Sequence, residues 1–201
     1  MFTEIAAAAQ EYDRTLSGGL FENETLYELD LSRLRFDAVR FVKCRFIHCD
    51  FTQARFSSAS FTGCDLSNCI FTKSYWNKCA FSDSKGVGAD FRGSTFKDAT
   101  LAACAFNLAN FGECLWSRCE LTRTDFREAS FADSKIRRVV LKEDNFAAAE
   151  FFHTPLAELD FSDSLIDGIV LSEGARELRG ARVSALQAVE LASFILKLSV
   201  K

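Results

Sequence analysis

Eight cysteines and two histidines are the residues of this 201-residue chain best equipped to ligate a metal or carry redox chemistry. The thiols stand at Cys44, Cys49, Cys64, Cys69, Cys79, Cys104, Cys114 and Cys119, and the five-residue spacings Cys44/Cys49, Cys64/Cys69 and Cys114/Cys119 invite that reading. The same phase, however, is filled elsewhere by Ala, Ser and Thr. The interval is therefore that of a repeat, and each thiol is expected to pack as a small buried apolar group. His48 and His153 are expected on the surface, with no glycine-rich phosphate loop and no nucleophile motif beside them. Neither an enzymatic activity nor a cofactor is expected.

The elements that place these residues follow from a strict period of five. Every fifth position from 21 to 171 holds Phe, Leu, Ile or Trp, with Gly86 the one exception, and 18 of the 21 phenylalanines lie on this register. Two residues earlier, all 19 positions from Cys44 to Ser134 taken in fives are Ala, Cys, Ser or Thr. Inward positions thus alternate in steps of two and three, which fits neither a helix nor a continuous strand. A short extended step followed by a corner does fit. Four such units close a square coil, and coils stacked at about 4.8 Å give a rod on the order of 35–40 Å long. Large side chains fill the axis, where rings about 4.8 Å apart sit within favourable aromatic range. Trp76 and Trp116, two coils apart on one face, belong to this filling.

Small residue, polar residue, Phe or Leu, then two variable positions is a pattern carried by Cys49-Asp50-Phe51-Thr52-Gln53, Cys64-Asp65-Leu66-Ser67-Asn68 and Ala89-Asp90-Phe91-Arg92-Gly93. It resembles the pentapeptide-repeat family over residues 16–171. The resemblance implies an all-β solenoid, a right-handed quadrilateral β-helix, with short N-terminal and C-terminal capping helices. The expected organisation is a capping helix in residues 1–15, the β-helix in 16–171, and a C-terminal cap and helix in 172–201.

Gly86, within Ser84-Lys85-Gly86-Val87-Gly88, predicts either a small surface loop or a defect that the coil tolerates. Pro155, the only proline, and Asp144, a charge at a small inward position, predict a local irregularity or a kink. At the N-terminus, Thr3 to about Tyr12 is helix-prone, with Thr3 as its N-cap. Past Leu171 the repeat ends, and Ser184 with Gln187 three residues later forms a capping-box pattern predicting a helix to about Leu196. Its apolar residues Leu186, Val189, Phe194, Ile195 and Leu198 exceed the needs of an end-cap. They either cover the last coil or form a homodimer contact.

Gly180-Ala181-Arg182-Val183 followed by Gln187-Ala188 is similar to the tail of the Qnr and MfpA proteins, the pentapeptide-repeat group that protects DNA gyrase from quinolones. The terminus Phe194-Ile195-Leu196-Lys197-Leu198 departs from that group's glycine-containing end. No long insertion interrupts the register, so the loopless members are the better comparison. The resemblance implies a two-fold dimer through the C-terminal element and a rod shaped and charged like DNA.

A net charge of −4 argues against nucleic-acid binding through overall charge. No apolar run crosses a bilayer and the first residues lack a signal pattern, so a cytoplasmic protein without membrane contact is expected. Charge is polarised: Arg33, Arg35, Arg40, Lys43, Arg45 and Arg55 crowd one segment, whereas nine acids and one base occupy 143–177. Glu143, Glu150, Glu158, Asp160, Asp163, Asp167 and Glu173 are the candidate partner-binding residues. The expected partner is a type II topoisomerase, DNA gyrase or topoisomerase IV, engaged in place of DNA without direct nucleic-acid binding. The alternative is a structural or adaptor solenoid whose acidic residues serve solubility.

Overall fold

In the computed structural model, which describes residues 2–4 and 15–196, the five-residue period folds into a four-sided parallel β-solenoid. The first face runs through Leu16, Phe36, Phe56, Trp76, Phe96, Trp116 and Ile136 as a seven-stranded parallel sheet. The second, from Phe21 to Leu141, is another seven-stranded sheet. On the third, Thr25–Tyr27 pairs with Arg45–Ile47 and isolated bridges continue to Leu165. The fourth is bridged from Asp30 to Val170.

Each coil is bonded to its neighbours through both edges: Lys43 N–H donates to Thr62 O and Arg45 N–H to Glu24 O, both at 2.8 Å. The corners are made by a left-handed residue. Every fifth residue from Asn23 to Glu158 has φ between +50° and +72°, whether glycine or a charged residue. For a side-chain-bearing residue that conformation costs about 1 kcal/mol or more. At most corners the N–H of this residue is satisfied on the next coil, as in Asn23 N–H to Val42 O at 2.9 Å, with Arg138 and Glu143 among the exceptions.

The axis is filled as the pattern requires. Phe36 and Phe56 stack at 4.7 Å, Phe51 and Phe71 at 4.8 Å, and Phe91 and Phe111 at 4.9 Å. All eight cysteines are buried free thiols. They do more than fill space: Cys44 Sγ donates to Phe21 O at 3.2 Å and Cys114 Sγ to Phe91 O at 3.1 Å. Ser94, Ser134 and Thr154 donate to equivalent carbonyls at 2.7, 2.8 and 2.6 Å. The inward small position is thus a ladder of short donors as well as a packing site.

Gly86 forms no loop. Lys85 bridges both Asp65 and Ala105, so the rung is intact, and the Phe106 ring fills the place of the missing side chain. At the N-terminal end Phe2 is fully buried, with its ring 4.8 Å from Phe21 and 5.5 Å from Phe41. Residues 2–4 are helical, so Thr3 lies inside the helix instead of capping it. The rest of the expected N-terminal helix lies outside the described residues.

At the other end the first two sheets stop at Lys135–Arg137 and Val140–Lys142. Residues 177–182 supply the last rung: Leu156 N–H donates to Glu177 O, Glu158 N–H to Gly180 O and Phe161 N–H to Arg182 O. The helix Ala185–Leu196 then crosses the end of the coil.

Candidate interaction surfaces

The end cap is built around two side chains. Ser184 N–H donates to Gln187 Oε1 at 2.8 Å and Gln187 N–H to Ser184 Oγ at 3.3 Å, the reciprocal box read from the sequence. Gln187 Nε2 also donates to Phe161 O and Ser164 O, at 2.9 and 2.7 Å. One residue therefore caps the helix and satisfies two carbonyls of the last coil. The second is Glu177, which is buried and accepts the N–H groups of His153 and Ser172 through Oε1 at 3.1 and 3.3 Å. Burial opposes its charge, yet these bonds outweigh it and hold the carboxyl below the ordinary glutamate value. Glu177 is thus an internal cap and not part of the acidic surface.

With Gln187 locking the helix, Leu191 packs toward the core while Leu186 is 70% and Val189 47% exposed. Ile195 is half-buried, and the Phe194 side chain and Leu198 lie outside the described residues.

The acidic candidates surround this end instead of forming one strip. Glu143 and Asp163 occupy one edge of the rod, above the buried Asp144. Asp167 follows on the third face and Glu150 lies on the fourth. Glu158 stands at the corner between the first and second faces, and Glu173 follows the last residue of the fourth. Asp160, on the second face, accepts the Ser162 N–H at 3.1 Å and pairs with Arg182 at 3.1 Å. Bonds to Ser162 and the nearby Arg182 hold its carboxyl low.

Asp144 itself sits in the inward ladder, accepting Thr124 N–H at 2.8 Å and Lys142 N–H at 3.0 Å. Burial, reinforced by Asp163 and Glu143, raises its carboxyl to about 6 despite those bonds. The isolated thiols move the same way, Cys79 and Cys104 to about 11 and Cys114 to about 12, through burial. Such thiols are poor nucleophiles at neutral pH. Among the described residues no group of three or more His, Cys, Asp or Glu could hold a metal ion.

The basic segment is also spread around the coil. Arg45 is balanced by Asp65 at 3.6 Å, which also holds Lys85 at 3.1 Å. Arg33, Arg35, Arg55 and Lys73 instead line an open groove of about 620 Å³ along the corner between the fourth and first faces. Lys73 was not singled out by the sequence, because only the twenty-residue coil brings it beside Arg33 and Arg55.

A model of the pentapeptide repeat region matches residues 54–131, and one of eight copies of the pentapeptide repeat matches residues 35–72. Residues 35–131 belong to the pentapeptide-repeat family. This pentapeptide-repeat protein is similar to the solved full-length QnrB1, a plasmid-mediated fluoroquinolone resistance protein, at 22% identity and a TM-score of 0.68, over 91% of this chain and 93% of that one. A trypsin-treated QnrB1 variant matches at 24% identity and a TM-score of 0.63, over 94% of each chain. HetL, involved in heterocyst differentiation regulation in the cyanobacterium Nostoc, matches at 15% identity and a TM-score of 0.44, over 90% of this chain and 93% of that one. A search of curated proteins finds no match. The fold is that of a structural or interaction scaffold. Among the described residues no helix is long and apolar enough to cross a membrane.

Proposed function

We propose that this protein is a dimeric DNA mimic that binds DNA gyrase or topoisomerase IV in place of DNA and protects it from a quinolone or related poison. The single observation that carries the reading is the C-terminal end. A helix fixed by Gln187 presents Leu186 and Val189 to solvent, and Glu143, Glu150, Glu158, Asp163, Asp167 and Glu173 surround it. Two such ends meeting through Leu186, Val189 and Ile195, with Phe194 and Leu198 added by the sequence pattern, would join two acidic zones across a dyad. A negative zone of that kind competes for a basic DNA-binding surface and weakens with salt. The match to QnrB1, named for fluoroquinolone resistance, runs the length of both chains and is in keeping with this role.

The test is a gyrase supercoiling assay with and without a fluoroquinolone, titrated with wild type and with Asp160→Asn/Asp163→Asn/Asp167→Asn. Inhibition or drug protection that weakens in the variant supports mimicry. No effect at micromolar protein rejects it. Sedimentation of Leu186→Glu tests the dimer separately, and an unchanged mass would remove the helix from the interface. The adaptor reading is favoured by one observation, the spread of the acids over all sides of the rod, and it predicts binding to its partner that barely responds to these substitutions.

A further inference from the structure

Up to Lys142, the first two faces are tied coil to coil by a repeating set of main-chain bonds. Arg118 N–H donates to Arg137 O, Val140 N–H to Cys119 O, Arg123 N–H to Lys142 O and Lys135 N–H to Cys114 O. One coil later the set fails. Pro155 has no N–H for Ser134 O, and among the described residues no main-chain bond joins Arg138 to Ala157, Asp160 to Val139 or Glu143 to Ser162. The rung of Leu156 to Phe161 bonds onward to residues 177–182 instead. The third and fourth faces continue without a break across the same coils, with Phe146 N–H to Leu165 O at 2.7 Å and Phe151 N–H to Val170 O at 2.9 Å. The solenoid is therefore split on two of its four sides.

The split reaches the core. From Leu16 to Ile166, Ile136 is the one axial residue that is not buried. A groove of about 410 Å³ is lined by Val139, Val140 and Leu141 from one side of the split and by Glu158, Asp160 and Asp163 from the other. Val140 is 59% exposed, and Arg182 already neutralises Asp160.

We propose that this split is a docking edge for an extended segment of a partner protein, which adds a strand beside Val140–Lys142. Its main chain would take the free N–H groups of Arg138 and Glu143 and the free carbonyl of Val139, the interactions that an open strand edge offers. Strand periodicity then places an apolar side chain over Leu141 and a basic one toward Glu158 and Asp163. A second copy of this edge is a poor occupant, because Arg138 and Lys142 flank it and like charges would face each other. Glu158 and Asp163 are shared with the acidic zone proposed to face gyrase, so the test reads peptide binding and amide protection directly, without gyrase.

The test uses two labelled, end-blocked hexapeptides alternating valine and lysine, one of them N-methylated at every amide so that neither strand edge can pair. Both carry the same charge, but the methylated one cannot pair as a strand. The unmethylated peptide should bind at least about ten-fold tighter by fluorescence anisotropy. It should slow amide exchange at Arg138 and Glu143 and weaken against Glu158→Gln/Asp163→Asn. Equal binding of the two peptides, no binding, or binding that leaves those amides unprotected overturns the proposal.

Discussion

Two tryptophans on the same face show how one atom changes the inward ladder. Trp76 Nε1–H donates to Ser74 Oγ at 2.7 Å, whereas the buried Trp116 Nε1–H has no acceptor because Cys114 stands at the equivalent place. Cys114→Ser should give that donor an oxygen while keeping the bond to Phe91 O, raising stability by about 1 kcal/mol in chemical denaturation. A loss would mean that the larger sulfur is needed for packing. Asp144 supplies the opposite case, a charge where Ser84 and Ser164 stand at the same corner. Its carboxyl is raised by burial to about 6 from an ordinary 3.8, so its charged form is weaker in the fold than in the open chain. Its favourable contribution is complete below about pH 4, falls as pH rises through about 6, and is flat above that. Asp144→Ser should hence be more stable than wild type at pH 7 by about 2–3 kcal/mol, with the advantage shrinking toward pH 4. Parallel melting curves for the two would show the carboxyl to be relieved in some other way.

At the scale of the five-residue element, the sequence disclosed the inward positions and little of the corner. Phe, Leu and the small residues are selected by volume, so their period is visible, and the Ser184/Gln187 box was legible because it is a local motif. The left-handed corner is filled by Lys, Arg, Glu, Asp and Ala as well as Gly, with its N–H satisfied by the next coil at most positions, and no residue type marks it. Gly86 reads in the sequence as a small loop or a tolerated defect, and only the position of Phe106, twenty residues away and filling the space, decides for the second. An added Cβ at Gly86 would lie 2.5 Å from Phe106 Cε1. Gly86→Ala should cost about 1–3 kcal/mol through this overlap. Combining it with Phe106→Leu should recover part of that loss, with a coupling of about 1 kcal/mol or more in a double-mutant cycle. Additive effects would mean that the ring turns aside freely.

For the whole molecule, the acidic candidates show what a linear reading cannot deliver. Residues close in sequence are carried around the rod, so nine acids in one stretch become a ring with two buried members, Asp144 and Glu177, and one paired member, Asp160. The split at Pro155 was legible only as an irregularity, because its extent depends on which carbonyls the following coil and residues 177–182 take up. In a rod where each coil contacts only its neighbours, stability is close to a sum of rungs and interfaces. Losing the bonds between two coils on two faces therefore divides the rod into units of unequal stability. Native-state hydrogen exchange should show the amides of Leu156, Glu158, Phe161 and Arg182 opening together, at lower free energy than those of Phe56 to Phe126. Pro155→Ala restores a donor for Ser134 O and should raise the protection of that group. Its effect on global stability should be small, because the bond gained, about 1 kcal/mol, is offset by the added freedom of the unfolded chain. Uniform protection along the wild-type rod would mean that the two intact faces alone make it open as one unit.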